Sequence, residues 1–263
     1  IGSAMALYGA GFSGSILVAP AIGGLLYSLI GPERVYYLVS ILTFAAMALT
    51  YPITTSKQQH PENRHPILTD IKSGLAYIWN SNLVMVMLII SALSALLVMP
   101  FKYLLPVFIV QVYQEEAGAF GILISVMGLG ALIGSLVFAS LGKNKRGLML
   151  FAGSYSSAIA LLMVAAIPFY YPAIGIMILL GIGDAGRRVL NQTLIMEQVE
   201  NEYQGRVMSV YTMLFGFMPL GVLPAGIAMD LVGGRITVFI LGLAMLTATT
   251  FLLATQKRLR ILQ

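Results

Sequence analysis

The sequence of 263 residues has no cysteine, only two histidines and few charged side chains. The lack of cysteine excludes disulfide bonds and thiolate metal sites. His60 and His65 share one polar segment, so neither is placed to relay protons within an apolar one. Only 10% of the residues are charged and 59% are hydrophobic, whereas a soluble domain has roughly 25% charged residues. A soluble protein of this size could not bury so much apolar surface, so the composition predicts a membrane protein.

The charged residues are also unevenly distributed along the chain. Asp, Glu, Lys and Arg are absent from seven long stretches: 1–32, 35–56, 73–101, 117–142, 147–183, 207–229 and 236–256. A helix of roughly 20 apolar residues crosses a bilayer. The stretches are continuously apolar rather than alternating, which favours helices over a barrel. We therefore expect an all-α membrane protein with eight spans, near residues 3–30, 34–53, 83–108, 118–141, 148–168, 172–196, 207–229 and 236–255.

The loops on the two sides of these spans differ in charge. One side carries Lys57, Arg64, Lys72, Lys143, Lys145, Arg146, Arg206, Lys257, Arg258 and Arg260, and the other carries Arg34 and Arg235. The side rich in Lys and Arg is cytoplasmic. We therefore expect a multi-pass protein of the inner cell membrane with both ends in the cytoplasm. The same bias explains the net charge of +5 without a nucleic-acid partner.

An internal repeat indicates how the spans are organised. Residues 3–24 resemble residues 206–228, with Tyr8 matching Tyr211, and five predicted spans lie between them. Two parallel six-helix halves are a known transporter architecture, so the chain is expected to lack four N-terminal helices. A complete eight-span protein with a chance internal match is the alternative. The predicted parts are residues 1–53, the last two helices of the first half; 54–82, a cytoplasmic linker with an interfacial amphipathic helix; 83–255, a complete C-terminal six-helix bundle; and 256–263, a cytoplasmic tail.

Three stretches resemble a known family. They are "SILVAPAIGGLL" with Pro20, Gly23 and Gly24, "LTDIKSGLAYIWNSNLV" with Asp70, Gly74 and Leu75, and "VENEYQGRVMSVY" with Gly205 and Arg206. The first is similar to the antiporter motif G-x-x-x-G-P-x-x-G-G in the major facilitator superfamily. The whole chain resembles helices 5–12 of the drug:proton antiporter-3 branch, which includes enterobactin-exporter-like and macrolide-efflux-like proteins.

The resemblance implies a major facilitator fold and a secondary active efflux transporter, proton-coupled and working by alternating access, for small molecules such as drugs or siderophores. It implies that Pro20, Gly23 and Gly24 form a helix-packing motif. Membrane lipids, the substrate and protons are the expected partners, and the full-length protein is expected to be a monomer. No cofactor, metal site or enzymatic activity is expected. A truncated or non-transporting family member and a lysophospholipid transporter remain as alternatives.

One segment, "GIGDAGRRVLNQ" at 181–192, places charge inside a long apolar stretch. Its G-x-G-x-x-G spacing is that of a dinucleotide-binding loop, but such a loop requires a preceding strand within a βαβ unit. Small residues in membrane helices instead allow close helix contact. We predict that these glycines, like Gly130 and Gly134, are packing residues.

The charges of this segment are candidates for function. A charged residue at the centre of a membrane helix costs roughly 2.5–3.5 kcal/mol on insertion scales. Arg187 and Arg188 follow Asp184 at i+3 and i+4, spacings that meet on one helix face. We predict that Asp184 faces the central cavity, paired with one of these arginines. Asp184 would serve in proton coupling or contact a cation, an arginine would face an anionic group of the substrate, and Asn191 would extend the polar stripe. The alternative is a structural ion pair whose arginines snorkel toward lipid headgroups.

A second intramembrane charge is Lys102, which lies between Pro100 and Pro106. The prolines predict a kinked or broken helix at this point. Lys102 either snorkels to the outer interface or forms a gate or substrate contact. Near the cytoplasmic side, Glu197 and Arg206 are candidates for a gate.

The predicted orientation can be tested by cysteine accessibility, since the chain offers no background thiol. Cysteine introduced at Gln58 should resist a membrane-impermeant thiol reagent in intact cells, because Gln58 lies in the predicted cytoplasmic linker. Cysteine at Gln114 should react. The opposite labelling pattern would show that the orientation is inverted.

Overall fold

The computed structural model describes residues 26, 30, 32–51, 67–116, 118–140 and 146–256. Within these residues every regular element is a helix, which confirms the all-α prediction. Nearly all of the first predicted span, the polar half of the linker and the tail after Gln256 lie outside the described residues. The predicted packing residues Pro20, Gly23 and Gly24 lie outside them as well.

The described helices follow the predicted spans closely. They are α1 (Pro32–Thr50), α2 (Ile67–Asn80), α3 (Asn82–Leu97), α4 (Met99–Phe108), which continues into a π-helical turn (Ile109–Tyr113), α5 (Gly118–Ser140), α6 (Arg146–Ala166), α7 (Tyr170–Gln198), α8 (Asn201–Gly216), α9 (Pro219–Val232) and α10 (Gly234–Thr255). Six stretches are long and apolar enough to cross a membrane: Glu33–Thr50, Asn82–Tyr113, Gly118–Phe138, Arg146–Ala166, Glu202–Val232 and Gly234–Thr255. The 29-residue α7 is long enough as well, but its charged cluster makes it more polar than those six.

Two of the membrane-length stretches are interrupted where prolines follow, and one of them, Glu202–Val232, breaks around Phe217, just ahead of Pro219. The segment from Asn82 to Tyr113 breaks at Val98, just ahead of Pro100. Proline has no backbone N–H, so the helical bond from position 100 to the Leu96 carbonyl cannot form. Gly221 of α9 packs directly against this Leu96 carbonyl. The break predicted near Lys102 is therefore present, and it lies at a contact between two interrupted segments.

The bundle around α7 is assembled through glycines. A side chain at Gly130 or Gly134 of α5 would collide with backbone atoms of α7, and Gly181 of α7 lies equally close to the backbone of α5. On the neighbouring face, a Cβ atom at Gly183 would lie 2.6 Å from the Gly153 carbonyl of α6. Close backbone approach of this kind is the usual role of small residues in membrane helices. The glycines of the G-x-G-x-x-G segment thus lie where α5 and α6 pack on α7.

The amphipathic helix α2 packs against the start of α8. Gly74 lies beside the Cβ of Arg206, and the ring of Tyr77 stacks on Tyr203 with centroids 4.7 Å apart. Ile78 is buried at this contact, whereas Trp79 remains exposed. Ile78 therefore lies on the side of α2 that faces the bundle, and Trp79 lies away from it.

The glycine contacts predict different outcomes for two alanine substitutions in α7. Gly183→Ala should destabilise the protein by about 1–3 kcal/mol, the usual cost of forcing extra atoms into a packed core. Gly175→Ala is the matched control, since nothing lies within 4 Å of its added Cβ. Thermal unfolding in detergent should show a lower Tm for the first variant alone. Equal Tm values would contradict the close approach of α6 and α7.

Candidate functional site

Asp184 lies at the centre of a buried ionic cluster. Its Oδ1 atom accepts a hydrogen bond of 2.7 Å from Arg187, and its Oδ2 atom accepts one of 2.7 Å from Arg188. Oδ2 also accepts a bond of 2.6 Å from the ammonium of Lys102 on α4. Asp184 and Arg187 are buried, while the Arg188 side chain is 37% exposed. Both arginines therefore reach the carboxylate, as their spacing predicts, and a third cation reaches it from another helix.

Lys102 points into the bundle and not toward the outer interface. The snorkelling alternative is wrong, because Nζ of Lys102 bonds to Asp184 and the side chain is only 14% exposed. The physical reason is electrostatic: an ammonium in an apolar segment is stabilised far more by a nearby carboxylate than by apolar neighbours. α4 and α7 are thereby joined by an ion pair.

A polar extension continues from this cluster toward α3 and α8. Asn191, fully buried on α7, donates through Nδ2 to the Met87 carbonyl at 2.9 Å and to the Ser91 hydroxyl. Tyr211 of α8 is buried and interacts with Ser91. Asn191 does extend the polar stripe, but its amide contacts α3. Ser91 and Tyr211 were missed from the sequence, because an isolated hydroxyl in an apolar helix gives no periodic signal.

The cluster is unbalanced in charge. Lys102, Arg187 and Arg188 contribute three positive charges, and Asp184 is the only carboxylate bonded to them among the described residues. The net charge of these four side chains is therefore +2. Arg187 Nε is buried and has no hydrogen-bond partner within the described chain. A buried excess of positive charge is costly, so the cluster is electrostatically suited to an additional anion.

The candidate gate residues lie near the ends of helices, apart from the cluster. Glu197 at the end of α7 pairs with Arg146 at the start of α6, at 2.6 Å. Arg206 of α8 lies 3.8 Å from Glu202 and above the ring of Tyr203. The first pair joins the ends of two helices and the second lies within the first turns of α8, and the role of Glu197 and Arg206 as a gate stays a prediction.

Comparisons with known proteins agree with the architecture. The family model described as "Major Facilitator Superfamily" matches residues 1–221. The chain is 25% identical over 250 residues to the "Staphyloferrin A transporter" of Staphylococcus aureus, an alignment that covers 93% of this chain and 61% of that protein. It is 26% identical over 241 residues to the "Multidrug efflux pump Tap" of Mycobacterium tuberculosis, which covers 87% of this chain and 56% of that protein. The chain thus spans little more than half the length of these curated relatives.

The charge imbalance predicts unequal effects of neutralising the two partners. Asp184→Asn leaves three cations without their carboxylate, whereas Lys102→Met leaves Asp184 paired with two arginines. Breaking a buried ion pair costs roughly 3–5 kcal/mol, so Asp184→Asn should lower the Tm clearly more than Lys102→Met.

The double variant completes this test. Lys102→Met combined with Asp184→Asn should be less destabilised than the sum of the two single variants, because both single changes remove the same Lys102–Asp184 interaction and the double variant loses it only once. Additive losses would contradict direct pairing across α4 and α7, and a larger loss for Lys102→Met would contradict the charge imbalance.

Proposed function

This chain belongs to the Major Facilitator Superfamily, and on that premise we propose that it forms part of a secondary active exporter of small molecules such as drugs or siderophores. The exporter works by alternating access and is driven by protons, as in the drug:proton antiporter-3 branch. It is a multi-pass protein of the inner membrane with cytoplasmic ends, in contact with membrane lipids. A relative named as a multidrug efflux pump supports the direction of transport, and one named as a staphyloferrin A transporter supports a transport function.

The observation that carries this proposal is the intramembrane cluster around Asp184. Charged side chains within membrane helices are costly and are found mainly at substrate or ion pathways. Here four of them converge from two helices, and one of those helices is interrupted close to the cluster. A helix that only packs and faces lipid would be destabilised by such charged groups. The cluster is the part of the described chain best suited to contact a substrate as the protein changes conformation.

Alternating access also requires helices that can bend. The breaks at Val98 and around Phe217 divide two membrane-length segments, and α9 contacts α3 close to both breaks. Backbone hinges at prolines allow the two ends of a helix to move separately. We propose that these breaks accommodate the change between inward-open and outward-open states, with the charged cluster on the cavity side.

The proposal can be tested with the full-length protein in inverted membrane vesicles, using carboxyfluorescein as an anionic probe and ethidium as a cationic one. Accumulation of either dye that collapses with a protonophore would support secondary active export. Asp184→Asn should reduce the rate at least tenfold at equal expression. Arg235→Gln is the control, since Arg235 bonds to the Ala165 carbonyl at the end of α6. Transport of neither dye, or full activity of Asp184→Asn, would contradict the proposed site.

A further inference from the structure

We propose that the cluster binds the acidic group of an amphiphilic organic anion, a carboxylate or phosphate held between Lys102 and Arg188, with the apolar part in a crevice between α4 and α5. This inference rests on the proposed function and names the class of substrate. The described residues support it through three observations: the charge of the cluster, the hydrogen-bond donors that remain in it, and the lining of the crevice.

The first observation is the sign of the charge. Three cations surround one carboxylate, so the described cluster carries a net charge of +2. A cationic substrate would have to approach Asp184 through three like charges, which repel it strongly in a low-dielectric surrounding. An oxyanion meets the opposite field and lowers the cost of burying the cations.

The second observation is the donor capacity. An ammonium has three N–H donors and a guanidinium has five, while within the described chain Lys102 and Arg188 each donate one hydrogen bond, both to the same atom, Oδ2 of Asp184. The two cationic groups therefore meet at that oxygen and retain further N–H donors for a second acceptor. Arg188 is the more exposed of the two, and Nε of the buried Arg187 lacks a partner in the described chain. An oxyanion with two or three acceptor oxygens matches this arrangement.

The third observation is a crevice of about 270 Å³ that reaches Lys102. Its other lining residues are apolar or aromatic, among them Met99, Tyr103, Phe120 and Met127 from α4 and α5. Methionine adapts its shape to irregular apolar ligands. An ammonium at an otherwise apolar crevice fits a ligand with an acidic group attached to a short apolar part.

Binding can be measured on the full-length protein in phosphatidylcholine nanodiscs, with octyl phosphate, methyl phosphate and octyltrimethylammonium as probes. Octyl phosphate should raise the Tm at the lowest concentration, methyl phosphate should require more, and octyltrimethylammonium should have no effect. Replacing a quarter of the lipid by phosphatidylglycerol distinguishes the source of the anion. Weaker binding of octyl phosphate in these nanodiscs would assign the site to a lipid headgroup, and unchanged binding would assign it to a soluble anion.

Variants locate the binding site without relying on one substitution. Lys102→Met and Arg188→Gln should each weaken octyl phosphate binding about tenfold or more, the effect expected for loss of a charged hydrogen bond, and Lys102→Arg should restore most of it. Ile124→Trp, which fills the crevice, should remove the preference for octyl over methyl phosphate. Arg235→Gln should bind octyl phosphate as the unaltered protein does.

The outcomes separate this inference from the proposed function. Octyl phosphate binding that depends on Lys102 and Arg188, without dye transport, would support the inference and contradict export. Protonophore-sensitive transport of ethidium but not carboxyfluorescein, with no phosphate binding, would support export and overturn the inference. Binding that is insensitive to both cation variants would also overturn it, and so would failure of every anionic probe to bind.

Discussion

The contact between the Asp184 carboxylate and the Lys102 ammonium is the interaction on which the organisation of the charged region depends. It joins α7 to α4 by a 2.6 Å bond between opposite charges within a largely apolar bundle. Arg187 and Arg188 could pair with Asp184 within an isolated helix, because their spacing brings them together on one face. Lys102 can reach it only when α4 and α7 are in their native arrangement. The number of cations beside Asp184 therefore depends on whether α4 lies close enough for Lys102 to reach α7.

The glycines around Asp184 make that arrangement possible. Gly181 and Gly183 bring the backbone of α7 against α5 and α6 on either side, so α7 is closely packed within the bundle. In this position Arg187 cannot reach water, since its side chain is only 4% exposed. The same twelve-residue segment thus combines close helix contact with charge. A nucleotide-binding loop would require backbone N–H groups that are free to contact phosphate, and in the described structure these positions are helical.

The sequence was sufficient to predict the helical membrane architecture, because the apolar stretches and the charges between them directly reflect the requirement for internal backbone hydrogen bonds in lipid. It also identified the residues around Asp184, since charge within an apolar stretch is conspicuous. The pairing of Lys102 with Asp184 could not be predicted, because the two residues are 82 positions apart and one sequence carries no distance information. Ser91 escaped notice for a related reason: its role depends on where α3 meets Asn191. The burial of Ile78 on α2 could not be predicted, because periodicity identifies an apolar face without showing which neighbour covers it.

The net positive charge of the cluster has a consequence for energy coupling. Protonation of Asp184 would remove the one carboxylate that opposes the three cations in the described chain, so an anionic ligand would bind more tightly once the proton was present. By linkage, the anion would in turn favour protonation. Exchange of a substrate for protons requires the reverse relation, in which each weakens the binding of the other. Under the proposed proton-driven export of an anion, Asp184 is therefore suited to balance charge within the binding site, and the proposal places the group that carries the proton outside this cluster.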